Sequence, residues 1–400
     1  MRKFSADFIL PVSSPPIKNG VVVTHDDGAI IDVLSPDKID NSNSDIEIHK
    51  GIICPGFINT HCHLELSHLK NKITQGSGLP NFVQELQQKR EVDQIEIQAS
   101  MQLAEDEMIK EGIVAVGDIS NTNHSFELKS KSSIHYHTFI EVFGFDPQRA
   151  DQVFEQALHL KEEYQTCKNQ NKKFLKSASV VPHAPYSVSE KLFKRVGDNC
   201  YLENGLLSMH NQESPDENLF FLNGKGSIRE MLEKFKIDLS LWKPSGFNSL
   251  PSVLVHLPVC NKILLVHNTM SSSEDIKWAN DYSKMLWWCL CPKANMYIEG
   301  KLPKVDVLRK AGARLTIGTD SLASNNSLSV LDELKTISKA FPHIPLEELL
   351  KWATLNGAEF LEFKALGSIE KEKNPGLNLI QNLDLEKFVL TEKATVKRLI

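Results

Sequence analysis

Three histidines and a glutamate follow an apolar run in the stretch "ICPGFINTHCHLELSH", residues 53–68. His61 and His63 stand two residues apart at the end of a predicted strand, so side-chain alternation places both imidazoles on one face. Cys62 then points to the opposite face. Two neutral imidazoles at this spacing can bind a borderline-soft divalent metal such as zinc. By itself the pair is a weak signal, because polar residues are common where a loop begins.

Other polar side chains also follow apolar runs. His210 lies in "LLSMHNQE", His267 in "KILLVHN" and Asp320 in "RLTIGTDS", each where a strand gives way to a loop. A single histidine in such a place is usually a core residue, but five coinciding positions favour a site. We predict that His61, His63, His210 and Asp320 bind one metal and leave a coordination position for water.

The chemistry of such a site is hydrolytic. A metal lowers the pKa of its bound water towards neutrality and makes hydroxide available. Glu213 follows His210 by three residues and is predicted to shuttle protons, protonating a ring nitrogen while hydroxide attacks the adjacent carbon. His267 is predicted to orient or stabilise the hydroxide, and Asp320 is predicted to be a catalytic residue as well as a metal ligand. His183 in "VPHAPYS" is either a substrate donor or a loop residue.

A second metal is not expected. A two-metal barrel needs a bridging ligand, commonly a carbamylated lysine at the fourth strand, and the corresponding stretch "ASVVPHAPYS" contains no lysine. Three imidazoles and one carboxylate suit Zn²⁺ or, as the alternative, Fe²⁺.

The elements around these residues alternate between strand and helix patterns. From Pro55 onward, apolar β-branched runs and amphipathic stretches form eight β/α units, which predicts an α/β protein with a (β/α)₈ TIM barrel. In such a barrel the loops after the strands gather the reacting groups at one mouth. An open doubly wound sheet is the alternative, but no glycine-rich phosphate loop follows a strand.

Both chain ends contain short strand patterns. "NGVVVTHDDGAIIDVL" predicts a hairpin around Asp27 and Gly28, and "NSNSD" at 41–45 predicts a loop. Neither end is long enough for a domain of its own. We therefore predict a small β-sandwich domain formed by 1–54 plus 363–400, and a catalytic barrel at 55–362.

Composition narrows the class of protein. The chain has 400 residues, 41% of them hydrophobic, and a net charge of -6 without long runs of one sign, which disfavours nucleic-acid binding. It shows no apolar segment of about 20 residues for a membrane span and no signal-peptide core. The seven scattered cysteines are expected to be reduced thiols in a cytoplasmic protein that acts on a small molecule.

The motifs "PGFINTHCHLE", "GIVAVGDIS", "HAPYSVS", "HNQES", "CPKANMYI", "IGTDSLASN" and "ATLNGAEFLEF" resemble those of the amidohydrolase superfamily, in its deaminase branch. The resemblance covers nearly the whole chain. It implies a metal-bearing barrel, a β-sandwich built from both ends, and a possible homodimer. It places the metal ligands at His61, His63, His210 and Asp320, the proton shuttle at Glu213, and a catalytic histidine at His267.

Two stretches depart from the family pattern. The tail reads "NPGLNLI" where an "AD" usually precedes the next strand, which concerns the accessory domain and not the chemistry. Glu65 occupies a position where many relatives have other residues. It is predicted to contact substrate, with capping of the loop as the alternative.

Within the branch, "HLELS", "HNQES" and "GTDSLASN" look most like enzymes that deaminate 6-aminodeoxyfutalosine, an adenine nucleoside of menaquinone synthesis. Deaminases of methylthioadenosine and S-adenosylhomocysteine, guanine deaminase and triazine chlorohydrolases share much of the pattern. The hypotheses are thus a hydrolytic deaminase of a purine-like substrate, a chlorohydrolase or cyclic-amide hydrolase, or a non-catalytic metal-binding barrel. A structural zinc site needs no free proton shuttle, so Glu213 disfavours the last.

Overall fold

The structure is a computed structural model that describes residues 1–38, 45–240 and 242–400. The loop predicted at 41–45 therefore lies mostly outside the described residues. Among the helices of the described ranges, none is long and apolar enough to cross a membrane.

The described residues form seventeen strands. In chain order these are β1 (Arg2–Ser5), β2 (Phe8–Ile9), β3 (Ile17–Lys18), β4 (Val21–Thr24), β5 (Ile30–Leu34), β6 (Ile46–Ile48), β7 (Ile52–Pro55), β8 (Phe57–Cys62), β9 (Ile113–Ser120), β10 (His135–Val142), β11 (Lys176–Pro182), β12 (Leu207–Asn211), β13 (Ile263–His267), β14 (Leu286–Leu290), β15 (Arg314–Ile317), β16 (Leu377–Gln381) and β17 (Thr395–Arg398).

The same part of the chain forms fourteen α-helices. These are α1 (Leu79–Lys89), α2 (Gln94–Lys110), α3 (Phe126–Lys131), α4 (Ala150–Thr166), α5 (Glu190–Glu203), α6 (Pro215–Asn223), α7 (Ser227–Lys234), α8 (Ser249–Leu254), α9 (Ser273–Tyr282), α10 (Pro292–Ile298), α11 (Val305–Lys310), α12 (Val330–Ala340), α13 (Leu346–Ala353) and α14 (Leu355–Leu361). Short 3₁₀ helices lie at Pro36–Lys38, Leu64–Leu69, Pro147–Arg149 and Pro185–Ser187.

Two small sheets are built from the chain ends. One has the strand order β5-β4-β1-β6, and the other has the order β17-β16-β7-β2-β3. The second joins the two ends directly, because β16 pairs antiparallel with β7 from Leu377 opposite Pro55 to Ile380 opposite Ile52. Side chains of both sheets share one apolar core, so the pair is a β-sandwich. The predicted hairpin is confirmed: β4 and β5 pair antiparallel around Gly28, which has a φ of 94°.

Eight parallel strands form the catalytic barrel. β8 to β11 are consecutive neighbours, as are β12 to β15. The ring closes at two places: the His210 amide donates to the His183 carbonyl at 2.9 Å, and the Thr319 amide donates to the His61 carbonyl at 3.0 Å. The predicted (β/α)₈ fold is therefore confirmed. An open doubly wound sheet, the alternative, would leave two strand edges unpaired, whereas these strands close into a ring.

The chain divides into two compact units. One comprises Met1–Thr60, Glu105–Val116 and Ser329–Ile400, and the other comprises His61–Ala104 and Gly117–Leu328. The predicted domain limits, 1–54 plus 363–400 against 55–362, stay a prediction. The residues considered for chemistry, from His61 to Asp320, all belong to the second unit.

A buried ion pair supports the loop after β8. Lys129 lies 2.6 Å from the Asp118 carboxylate, and neither side chain has exposed surface. The other Asp118 oxygen accepts the amide of Leu64 at 2.8 Å. Lys129 also donates to the hydroxyls of Ser120 at 2.9 Å and Thr138 at 3.1 Å. Asp118 thus holds the backbone that directly follows His63.

We expect Lys129→Met to lower the free energy of unfolding by about 3–5 kcal/mol, because it leaves the Asp118 carboxylate buried without its cation. The matched control is Lys131→Met. Lys131 pairs with Glu127 on the same helix, but both side chains are more than half exposed, so a loss of about 0–1 kcal/mol is expected. Urea unfolding of both variants measures the difference, and equal losses would contradict the structural role of the buried pair.

Candidate metal centre and active site

Four side chains from three parts of the barrel converge on one point. His61 and His63 come from the end of β8, His210 from β12, and Asp320 from the segment after β15. The Nε2 atom of His63 lies 3.1 Å from His61 Nε2 and 3.2 Å from His210 Nε2. Asp320 Oδ1 lies 3.5 Å from His63 Nε2 and 3.7 Å from His61 Nε2. The structure thus brings together the four residues that the sequence predicts as ligands.

These spacings fit a cation. The four distances of 3.1–3.7 Å are of the size expected between neighbouring ligand atoms that each lie about 2.1 Å from one divalent ion. His63 Nε2 faces two other ring nitrogens and one ring nitrogen can carry only one proton, so hydrogen bonding cannot satisfy the whole group. Since three imidazoles and one carboxylate are typical donors for Zn²⁺ or Fe²⁺, the residues present fit the metal that the sequence predicts.

The electrostatics of the cluster favour metal-binding protonation states. Burial lowers the pKa of His63 to about 3, and burial also holds the pKa of His210 well below its usual range. Burial alone would raise the pKa of Asp320, but the adjacent imidazoles outweigh it and keep that pKa below its usual range. His63 and His210 are therefore neutral and Asp320 is ionised at neutral pH, as metal ligands must be.

The backbone is strained at two residues of the site. Asp320 has a φ of 56° and His267 a φ of 73°, the left-handed region that residues with a side chain seldom adopt. The preceding Gly318 is needed for close packing, because a Cβ atom there would lie 2.8 Å from the Cβ of His61. Ser324 donates a hydrogen bond of 2.5 Å to Asp320 Oδ2, which leaves Oδ1 facing the imidazoles.

Glu213 and His267 lie beside the ligand cluster. His267 Nε2 is 3.5 Å from Glu213 Oε1, and both side chains are almost completely buried. His267 Nδ1 lies 2.9 Å from the Asn295 side-chain oxygen, whose amide group donates to Thr269 at 2.6 Å. Nδ1 therefore carries the ring proton, and the lone pair of Nε2 faces the site.

Burial and nearby carboxylates raise the pKa of Glu213 well above its usual value. The loop that carries it is held by Glu217, which accepts the amides of Gln212 at 2.9 Å and Glu213 at 3.3 Å. A carboxyl group that keeps its proton to a higher pH than a free carboxyl group is thus fixed in place beside the cluster.

The two residues predicted to contact substrate lie in different places. His183 lines the cavity, and its Nδ1 is 2.6 Å from the Ser187 hydroxyl. Glu65 is not among the residues that line the cavity. Its carboxylate accepts the amides of Asn121 at 3.1 Å and Thr122 at 3.2 Å, so its position favours the loop-capping alternative. Substrate contact by Glu65 has no structural support.

The ligand cluster opens into a cavity of about 420 Å³. Its wall is largely apolar, with residues from α1 and α7 and from the loop after β10. A large, mainly apolar cavity with a few converging polar groups is typical of a small-molecule site. The apolar residues are Leu66, Leu79, Phe82, Val83, Leu86, Phe143, Phe145, Met231, Leu232, Phe235, Ile237 and Ile298.

Sequence reasoning missed several polar residues of the site. Asn295 lies in the quoted motif "CPKANMYI" and Ser324 in "IGTDSLASN", but neither received a role. Arg90 and Glu141 also line the cavity. Glu141 could have been found as the one charged residue in the apolar run "FIEVFGF" at the end of the third barrel strand.

The barrel and the ligand cluster together define a metal-dependent hydrolase. The sequence pattern of the Amidohydrolase family matches residues 52–400, and the chain belongs to that family. The superfamily resemblance and the enzyme class predicted from the sequence are therefore confirmed.

Relatives are found among characterised sequences. An adenosine deaminase of Helicobacter pylori is 29% identical over 356 residues, which cover 87% of this chain and 81% of the relative. An aminodeoxyfutalosine deaminase of Nitratiruptor is 27% identical over 333 residues, which cover 82% of this chain and 78% of the relative.

Solved structures share the fold. The H. pylori aminofutalosine deaminase in complex with methylthio-coformycin superposes with a TM-score of 0.82 at 25% identity and full coverage of both chains. An adenosine deaminase of Xanthomonas campestris with bound zinc has a TM-score of 0.71 at 20% identity, over 96% of this chain and 85% of that one. At that identity the second shows the fold alone.

We expect Asp320→Ala to lose bound metal, because it removes the carboxylate oxygen that faces His61 and His63. Elemental analysis of protein purified with added zinc should fall from about one ion per chain to well below half. The control is His159→Gln, which removes an exposed imidazole on α4 and should keep the metal. Equal metal content in all three proteins would refute the assigned site.

Proposed function

We propose that the protein is a metal-dependent deaminase of adenine-type nucleosides, and that 6-aminodeoxyfutalosine is the first substrate to test. The observation that carries the proposal is the Glu213–His267 pair, 3.5 Å apart, beside four converging ligand groups at the end of an apolar cavity. The relatives named above act on adenosine and aminodeoxyfutalosine, which supports the adenine nucleoside as the substrate class.

The four ligand groups would be His61, His63, His210 and Asp320, with zinc as the first choice of metal and ferrous iron as the second. A divalent cation supplies ionised water at neutral pH. The protein's own groups then orient the substrate, exclude bulk water and transfer protons. The apolar wall excludes bulk water and places the purine with C6 towards the ligand cluster.

Glu213 moves the protons. Its raised pKa allows the carboxyl group to deliver a proton to N1 of the purine as C6 is attacked, and the resulting carboxylate collects a proton from the added oxygen. Passing that proton to the exocyclic nitrogen lets ammonia leave and C6 become a carbonyl. The His267 Nε2 lone pair faces the same space and accepts a hydrogen bond from the attacking oxygen.

The cavity has room for a substituted nucleoside. A larger space of about 1430 Å³ shares Arg90, Asn121, Glu141, Phe143 and Phe145 with the wall of the inner cavity. A group attached at the 5′ position of the sugar can extend into it. This supports substrates such as 6-aminodeoxyfutalosine or methylthioadenosine over a free base such as guanine.

The decisive experiment is a substrate panel on metal-loaded protein. It compares 6-aminodeoxyfutalosine, methylthioadenosine, S-adenosylhomocysteine, adenosine, guanine and a chlorinated triazine, with ammonia and halide both measured. We expect ammonia from the adenine nucleosides, and the highest kcat/KM for 6-aminodeoxyfutalosine. Halide release or ring opening without ammonia would point to the other hydrolases, and no turnover of any substrate would point to a non-catalytic barrel.

We expect Glu213→Gln to keep its metal and lose activity by about 10²–10⁴-fold, because the amide cannot transfer protons. Metal content and kcat are measured on the same preparation. Glu230→Gln, which changes an exposed carboxylate on α7, is the control and should behave as wild type. Near-normal turnover by the Glu213 variant would remove its assigned role.

A further inference from the structure

Two charged side chains on the cavity wall have no part in the chemistry described so far. Glu141 lies at the end of β10 and is buried, and Arg90 directly follows α1 and is half-buried. Both line the inner cavity that contains Glu213 and Asp320. Charged groups are seldom placed on the wall of an apolar cavity without a partner, so the ligand is the natural place to look for one.

One oxygen of Glu141 lacks a hydrogen-bond donor. Oε2 accepts the side-chain amide of Asn121 at 3.0 Å, whereas Oε1 is buried and accepts no hydrogen bond from the described residues. His210 Nδ1 lies 3.6 Å from Oε1, beyond hydrogen-bond distance, and that atom already pairs with the His183 carbonyl at 2.8 Å. A buried acceptor without a donor costs free energy, and a bound ligand can recover it.

Within the described part of the chain, Arg90 lacks hydrogen-bond acceptors, as Glu141 Oε1 lacks a donor. Its guanidinium forms no hydrogen bond or ion pair with the residues that the structure describes, although its charge acts on both Glu141 and His183. Guanidinium offers five N–H donors and accepts none, whereas the Glu141 carboxylate accepts and does not donate when ionised. The two groups therefore face one space, close enough to interact electrostatically and without a direct bond.

A hydroxyl group fits this combination, because it donates to a carboxylate and accepts from a guanidinium at the same time. Two adjacent hydroxyls, as on a ribose ring, can serve both residues together. The site also lies at a suitable place. The ring of His210 separates Glu141 from the ligand cluster, since its Nε2 faces His63 and its Nδ1 lies on the side of Glu141.

We propose that Glu141 and Arg90 form a subsite for the 2′- and 3′-hydroxyls of the substrate's ribose. The subsite rests on the proposed function and narrows its substrate class to ribonucleosides. The protein would select them over 2′-deoxynucleosides and over free bases. Glu141 accepts from the hydroxyls, and Arg90 donates to them. Neither group touches the reacting carbon, so the subsite sets binding and specificity.

The test combines variants with substrates that lack one hydroxyl. Wild type, Glu141→Gln and Arg90→Gln are assayed with adenosine, 2′-deoxyadenosine and 3′-deoxyadenosine. We expect each variant to lower kcat/KM for adenosine by about 10- to 100-fold, the usual cost of losing a hydrogen bond to a charged group, mainly through KM. With the deoxynucleoside that lacks the contacted hydroxyl, the same substitution should have an effect of less than about threefold.

A structural role for Glu141 gives a different result. If the carboxylate only supports His210, the Glu141 variant loses kcat equally on all three nucleosides and loses bound metal, and the subsite is refuted. Glu91→Gln is the matched control, because it removes the exposed carboxylate next to Arg90 and lies outside the cavity wall. It should match wild type on every substrate.

A binding measurement separates this proposal from the function itself. In a Glu213→Gln background, calorimetry gives the Kd of adenosine, 2′-deoxyadenosine and 3′-deoxyadenosine, independently of turnover. Each is measured without a second substitution, with Glu141→Gln and with Arg90→Gln. If wild type releases no ammonia from any adenine nucleoside, the proposed function fails. If adenosine binds no more tightly than both deoxynucleosides, or if the Glu141 and Arg90 substitutions leave that preference unchanged, the subsite fails alone.

Discussion

The constraint on which the site depends is that His63 Nε2 lies 3.1–3.5 Å from the Nε2 atoms of His61 and His210 and from Asp320 Oδ1. Such lone pairs are stable neighbours when a cation lies between them, and the groups come from the ends of β8, β12 and β15. Closing the strands into a ring is what brings those ends together. The barrel thus places ligand residues from distant parts of the sequence next to one another.

Several groups of the site are in turn held by residues that lie outside the ligand cluster. Ser324 occupies one oxygen of Asp320, Asn295 sets the tautomer of His267, and the Asp118–Lys129 pair holds the backbone after His63. Left-handed backbone at Asp320 and His267 would be costly in isolation. The surrounding hydrogen bonds keep these conformations, so the site is organised before a ligand enters.

Much of this could be predicted from the sequence, because barrel chemistry collects where strands end and the ligand types are distinctive at such ends. The eight strand–helix units, the two-ended sandwich and the convergence of His61, His63, His210 and Asp320 follow from patterns of this kind. The direction of Glu65 could not be predicted, since the 3₁₀ turn from Leu64 to Leu69 breaks the strand alternation and turns the carboxylate towards backbone amides. Glu141 stands out as the one charged residue in an apolar run, but without a second polar residue at a defined spacing the sequence does not indicate its role. The domain limits depend on contacts between segments that are distant in the sequence, and local sequence patterns do not predict such contacts.

The pairing of β7 with β16 has a consequence for biosynthesis. Ile52 and Ile380 are neighbours in one sheet, although more than three hundred residues separate them along the chain. While the ribosome is still translating the barrel, the amino-terminal strands have no partner for that edge of their sheet, and an unpaired edge invites wrong pairing between nascent chains. The sandwich can be completed only after the segment that contains β16 has left the ribosome, so its closure follows synthesis of the barrel.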